Sequence, residues 1–428
     1  MIESSGHWDR RNFLLNVFEG AFYVTGSSLI SSQTVLPALV ARLGGGNMAL
    51  GALGVINWMG VLLPQVFASR YGQTLEWKKP WVVKYGGIQR LLILLIGVIL
   101  LVPYHGQWQV TLAIFFALFA LNQLILGATS PVWFDFFAKL ISRKHRGRSF
   151  GFRSALAGIM SLGGAVLLTF ILKTYEFPLS FAVIFFLAFV FEMSSLVMQS
   201  HLVEETPSKI IPRQSLKDYF LTLAGVLTQN VGFRRFLTAA AFSILATMPL
   251  GFFTVYALKS FGLGESSVGI FTLAMVGGQI VGALAIGYLA DRLSNKVALV
   301  STSIAMLAAI VTALIAPSPA WYRIVFVFLG VNIGSELMIR YNFAIEYCPV
   351  EHRSMYVGLM NTLLGPCYLC GLIGGWLSNS FGYEALFAIS GACSLVGLVF
   401  LLLAVNEPGV PHHLEPSLGR PEETVVPE

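Results

Sequence analysis

Apolar stretches about as long as a bilayer is thick recur along the whole chain, separated by short loops that hold most of the charge. A helix needs about 20 apolar residues to cross the hydrocarbon core. Stretches near that length lie at about 13–40, 49–69, 85–102, 109–130, 149–172, 179–199, 235–258, 267–290, 297–315, 321–344, 355–379 and 385–405. The pattern predicts twelve transmembrane helices and no sheet. The first stretch follows Asp9-Arg10-Arg11, as the apolar part of a secretory signal would. It continues to about Val40, too far for a signal, and is read as the first membrane helix.

The longest polar interruption, His201 to about Arg235, contains Pro207 and Pro212 and divides the chain. Residues 1–200 are expected to form an N-terminal six-helix bundle, 201–234 a cytoplasmic linker, 235–405 a C-terminal six-helix bundle, and 406–428 a disordered cytoplasmic tail with five prolines. Within the linker, Ser215 can cap a short helix with Leu216, Tyr219, Phe220, Leu223 and Leu227 on one side, suited to the membrane surface. The two halves repeat. Ala68-Ser69-Arg70-Tyr71-Gly72 follows the second stretch as Ala290-Asp291-Arg292-Leu293-Ser294 follows the eighth. Arg146 with Gly151 precedes the fifth as Arg353 with Gly358 precedes the eleventh. Paired motifs in corresponding loops indicate a parallel internal repeat. The expectation is an all-α polytopic membrane protein with twelve transmembrane helices in two pseudo-symmetric six-helix bundles.

Composition narrows the class. The 428 residues are 56% hydrophobic and 11% charged, with mean hydropathy +0.75, outside the range of a soluble domain of this size. The net charge of +6 lies between spans rather than on one face, so it sets topology and gives no support to a nucleic-acid partner. If both termini are cytoplasmic, the inner segments take nearly all the lysines and arginines, and the outer ones only Arg42, Lys173, Lys259 and Arg323. Cys348, Cys367, Cys370 and Cys393 lie in or beside apolar stretches, where packing explains them better than disulfides. The chain has no P-loop, dinucleotide fingerprint, paired metal-ligand histidines or nucleophile elbow, so neither an enzyme, a cofactor nor a resident metal is expected.

The most specific segment is Gly287-Tyr288-Leu289-Ala290-Asp291-Arg292-Leu293-Ser294-Asn295-Lys296. Gly277, Gly278, Gly282 and Gly287 precede it or open it, small residues that let another backbone approach. Asp291 is suited to accept hydrogen bonds from a neighbouring helix N-terminus and to pair with an arginine, making the turn a latch. The segment resembles the cytoplasmic signature of the major facilitator superfamily, G-x-L-A-D-R-x-G-R-K, with Ser294 and Asn295 in place of the second glycine and the following basic residue. With the span count and the repeat, the resemblance covers residues 12–405. Its first copy departs further, with Gln65 for the leading glycine and Ser69 for the aspartate, which puts Arg70 and the inserted Glu76-Trp77-Lys78-Lys79 forward as substitutes. The fourth span lacks the family's proton-linked arginine and the fifth lacks the antiporter proline, which leaves the energy source open.

The resemblance implies alternating access between two bundles, gated by Gly287, Asp291, Arg292, Arg70, Arg146 and Arg353, with spans one, four, seven and ten lining a central cavity. Polar residues in those spans are then the candidates for a substrate or proton pathway. Asn16, Glu19, Tyr23, Ser27, Ser31 and Thr34 form one stripe on the first span. Glu19 fits two roles, binding substrate or a proton and pairing with a loop arginine. Asn332, Glu336 and Arg340 share one side of the tenth span, and Glu336 and Arg340 can pair across one turn. The alternative for Arg340 is that it reaches the inner interface with Glu336 neutralising it. Asn122 and Gln123 of the fourth span offer hydrogen bonds to a solute or to neighbouring helices, while Glu192 is expected to pair with Arg90 or Arg153.

The function expected from the resemblance is a secondary transporter or facilitator for a small solute or ion, with membrane lipid and a coupling proton as its other partners. It is expected to be a monomer in a bacterial inner membrane or an internal membrane derived from it, with both termini cytoplasmic. A second resemblance, to facilitator-like permeases of iron-storing membranes such as magnetosomes, implies iron or an iron complex as cargo. The competing class is a receptor or assembly scaffold that keeps a transporter fold and moves nothing.

Overall fold

The computed structural model describes residues 5–102, 107–141, 145–208, 230–348 and 353–407. The linker segment 209–229, with its expected surface helix, and the tail from 408 lie outside the described residues. Helices make up nearly all of the rest, because backbone N–H and C=O groups in lipid must be satisfied within their own segment. In order they are α1 Ser5–Leu29, α2 Val35–Arg42, α3 Asn47–Gly72, α4 Lys79–Leu101, α5 Trp108–Leu140, α6 Arg146–Thr174 and α7 Leu179–Ser200. After the linker come α8 Val231–Leu245, α9 Phe252–Ser260, α10 Ser266–Arg292, α11 Asn295–Ile315, α12 Pro319–Glu346, α13 Arg353–Leu364, a 3-10 turn Gly365–Leu369, and α14 Cys370–Leu403.

The expected twelve spans in two six-helix bundles are corrected by this arrangement. Among the described residues nine helices are long and apolar enough to cross a membrane. Three departures account for the difference. The polar stripe on α1 lowers its apolar character, and the helix stops at Leu29 rather than running to Val40. The seventh stretch breaks around Pro249 into α8 and α9, of 15 and 9 residues. The last two stretches form one apolar unit, Tyr356–Leu403, through the 3-10 turn and across Gly382, whose φ of 88° is open to glycine without strain.

Among α1–α7, helix α1 lies against α6 and α7, and α5 against α3 and α4. Among α8–α14, α10 and α11 flank α12, and α14 packs on α8 and α11. Two long seams join the sets, α6 with α10 and α3 with α14 and the 3-10 turn, and the short α2 touches α9 and α10. The second seam is a backbone contact: a Cβ on Gly51 would stand 2.2 Å from the carbonyl oxygen of Gly371. Gly278 meets the Val327 carbonyl of α12 in the same way, whereas nothing approaches Gly277 or Gly287 within 4 Å.

The two ends of the molecule differ. At the end far from the termini, one apolar core draws on both sets, with Leu36, Leu39 and Leu50 alongside Phe252, Val255 and Leu377. Nearer the termini, one cluster around Phe233, Phe343 and Tyr356 takes in Trp58, Met59 and Leu62 of α3, and another around Val132, Phe136 and Leu140 stays on the α1–α7 side. The hydrogen bonds that join the sets among the described residues all belong to the far end. They run from Thr34 Oγ1 to Thr272 Oγ1 (2.7 Å), Thr254 Oγ1 to Gln33 O (2.9 Å), Tyr383 Oη to Asn47 Oδ1 (2.8 Å), and from Arg42 to Glu265.

Candidate functional site

Where α3 faces α12 and the 3-10 turn, a cavity of about 70 Å³ opens between the two sets, lined by Trp58, Val61, Leu62 and Gln65 on one side and Leu337, Arg340, Tyr341, Asn361, Leu364 and Tyr368 on the other. Pro366 supports the 3-10 turn, which places Tyr368 here. The Tyr368 ring stacks on Trp58 with centroids 4.9 Å apart. Arg340 is buried, and its Nη2 donates to Tyr368 Oη at 3.1 Å. Glu336 Oε1 stands 3.4 Å from Arg340 Nε, one turn earlier on the same helix. Neither Nε nor Nη1 has a hydrogen-bond partner among the described residues. Buried donors are normally satisfied, so this guanidinium is the exceptional polar group of the cavity. Tyr341 Oη donates to Asn361 Oδ1 at 3.4 Å and closes the side wall.

A second polar cluster fills the interior of α1–α7. Arg153 Nη1 of α6 meets Glu19 Oε2 at 2.7 Å, and Ser195 Oγ of α7 donates to Glu19 Oε1 at 3.4 Å. The guanidinium also lies over Trp133, 4.7 Å from the ring centroid. Arg90 of α4 donates through Nε to the Glu192 carbonyl at 2.7 Å and through Nη2 to Ser195 Oγ at 3.5 Å, beneath the Tyr23 ring. Gln89 Nε2 donates to Tyr23 Oη at 3.4 Å, and Asn122 Nδ2 donates to Gln89 O at 3.0 Å. Glu192 takes a bond from Ser27 Oγ at 3.2 Å on one oxygen, while the other has no partner among the described residues.

The charged turn after α10 is tied within its own set. Ser294 caps α11 by accepting from Val297 N at 3.2 Å and also donates to Glu407 at 2.5 Å. Asn295 donates to Glu346 at 2.5 Å, and Lys296 to the Leu402 carbonyl at 3.3 Å. Asp291 is exposed, without a hydrogen bond or ion pair among the described residues, and Arg292 lies over Tyr288. The corresponding segment after α3 is held by the start of the linker. Glu204 accepts from the Lys78 and Lys79 amides and pairs with Lys139 at 2.9 Å, and Lys78 Nζ donates to the Gly72 carbonyl. Burial pulls the Lys78 ammonium below its ordinary range, against the opposing pull of Asp135 and Glu204. The side chains of Arg146 and Arg353 lie outside the described residues; Arg70 is half-buried at the end of α3.

The relation to known proteins follows the same architecture. A sequence profile of the Major Facilitator Superfamily matches residues 80–366 and 235–425. The chain belongs to the major facilitator superfamily. It is 29% identical over 164 residues to the 4-hydroxybenzoate transporter PcaK of Acinetobacter baylyi, a segment covering 38% of this chain and 35% of that protein. It is 25% identical over 152 residues to the niacin transporter NiaP of the same organism, covering 35% of this chain and 34% of that one. The chain thus aligns with about a third of the length of each of these relatives. Among solved structures, the D-xylose-proton symporter superposes with a TM-score of 0.70 at 13% identity, over 94% of this chain and 99% of that one. A bacterial homologue of the iron transporter ferroportin in the inward-facing state gives 0.63 at 14% identity, over 92% and 98%. At such identities these likenesses concern the fold alone.

For this facilitator-superfamily chain, the residues expected to share one pathway fall into two groups. Glu19, Tyr23 and Asn122 belong to the interior cluster of α1–α7, and Arg340 lines the cavity between the sets, with Glu336 beside it outside the lining. Gln123 donates to Asn57 of α3 at 3.1 Å, and Asn332 to the Thr302 carbonyl of α11 at 3.0 Å, so both join neighbouring helices. Glu192 meets Arg90 through its backbone carbonyl. Among the described residues no three His, Cys, Asp or Glu side chains gather as a metal site. Sequence reasoning overlooked Trp58 and Tyr368. Both are aromatic residues in polar company, and Tyr368 follows a Gly-Pro helix break, a signal that a side chain there leaves the regular helical face.

Proposed function

We propose that the protein is a secondary transporter or facilitator that moves a small solute by alternating access, with the cavity around Arg340 as its binding site. The observation that carries this reading is the placement of that cavity: α3 supplies one wall and α12 with the 3-10 turn the other. A solute there touches both sets, so rocking one against the other changes its contacts, and binding can favour one state over the other. The excess of lysine and arginine on the termini side supports a cytoplasmic location for both ends. In that orientation the far-end bonds close the described state on the outside. The exposed Asp291 is then a latch awaiting the opposite state, in which it would engage a neighbouring helix end. The relatives named for 4-hydroxybenzoate and niacin support a small organic solute as cargo. Iron or an iron complex draws no such support from the groups lining the cavity, which among the described residues include no carboxylate or imidazole.

The test is counterflow in proteoliposomes preloaded with a panel of small acids, sugars and amines. Exchange of at least one solute above protein-free vesicles is the expected result. A correctly folded, reconstituted protein that exchanges none of them is a scaffold or receptor and not a carrier.

A further inference from the structure

We infer that the Arg340 cavity is a carboxylate site and that the solute is a small planar monocarboxylate; this narrows the transporter reading and rests on it. The argument starts with unclaimed hydrogens. Arg340 Nη1 has no partner among the described residues, and Nη2 donates one N–H to Tyr368 while carrying two. The guanidinium thus keeps unused N–H groups on both terminal nitrogens, the number that the two oxygens of a carboxylate match as a fork. Leaving such donors buried and unsatisfied is costly, so a ligand that satisfies them gains more than its contact area alone would give.

The charge of the cavity selects the ligand further. Among the described residues Arg340 is the one charged residue lining it, and Glu336 stands beside the guanidinium on the Nε side, outside the lining. The guanidinium offers donors and no acceptor, so a cation finds no partner on it, and a neutral solute leaves the fork unmatched. A dianion brings a second charge that no other lining group answers. Trp58, Tyr341 and Tyr368 put three aromatic rings in the lining, the first and last stacked on each other, and such apolar flat side chains suit a planar group beside the carboxylate. The cavity volume of about 70 Å³ is several times the roughly 10–15 Å³ that one water needs. It encloses a carboxylate head, and the rest of the solute lies along the half-exposed Leu337 and Tyr341.

The test is thermal stability of the purified, detergent-solubilised full chain against benzoate and propionate, each compared with its neutral amide. A ligand that binds only the folded protein raises its melting temperature with concentration. Benzoate is expected to do so, and benzamide is not. Arg340→Gln is expected to weaken the apparent benzoate affinity about 10- to 100-fold, the range for losing a charge-assisted hydrogen-bonded pair. Arg340→Lys keeps the charge without the fork and is expected to weaken it as well. It serves alone where the glutamine variant does not fold. Equal shifts from benzoate and benzamide, no shift from either acid, or benzoate binding that survives both substitutions overturns the carboxylate site. Exchange of another solute in the counterflow assay then leaves the transporter standing. Benzoate that stabilises the unaltered protein and depends on Arg340, yet is never exchanged, keeps the site and sinks the carrier.

Discussion

Glu19 and Arg153 neutralise each other where water does not reach, and their worth lies in what removal of one does to the other. Glu19→Gln strands a buried guanidinium against the Trp133 ring, and breaking one side of a buried pair costs roughly 3–5 kcal/mol. A fall in melting temperature in detergent is the expected outcome, partly restored in the double variant Glu19→Gln/Arg153→Gln. A carboxylate that serves only transport would leave the melting temperature of the single variant unchanged. Gly20 belongs to the same packing, because a Cβ there would stand 1.8 Å from Arg153 Nε. The sequence marks Glu19 as an expensive residue in an apolar stretch, but not its partner. Arg153 lies 134 residues away on α6, and the linear reading, which offers Glu19 a loop arginine, sets Arg153 beside Glu192 instead. Ser294 and Asn295 teach the same lesson from the other side. As departures from a family signature they look like decay, yet each makes a specific bond that clamps the turn to Glu407 or Glu346.

At the scale of helices, hydrophobic runs reveal where lipid is crossed but not where a crossing is interrupted. The stretch around Pro249 reads as one span because its composition stays apolar, and the proline breaks it into two short helices. Around Gly365-Pro366 the backbone tightens into a 3-10 turn without any change in apolarity, so the run through Leu403 reads as two ordinary spans. The cavity was hidden for this reason. Its aromatic wall depends on that turn, and its other wall on how closely α3 meets α14 at Gly51 and Gly371. Gly51→Val places a branched side chain against a backbone carbonyl and should force the seam apart. With the four native cysteines replaced, a cysteine at Thr34 should then react faster with a membrane-impermeant maleimide than in the parent. An unchanged rate would mean that the seam does not govern closure of the far end.

Among the described residues, the hydrogen bonds that join the two sets gather at one end of the molecule, and that closure must be reversible if the protein carries a solute. Thr34 and Thr272 bring their hydroxyls within 2.7 Å across the two sets. Cysteines at both positions in a cysteine-free background should join under mild oxidant, stop exchange, and release it on reduction. Continued exchange by a fully cross-linked sample would show that this end never has to open. The seal also includes Arg42 and Glu265, with the arginine side chain 56% exposed to the medium. An ion pair in such a position contributes about 0–1 kcal/mol, and the reach of its field shrinks from about 10 Å in 0.1 M salt to about 3 Å in 1 M. The brine bathing that face thus acts as a dial on the resting balance: concentrated electrolyte should loosen the lock by up to a few fold, while leaving the dry threonine contact beneath it untouched.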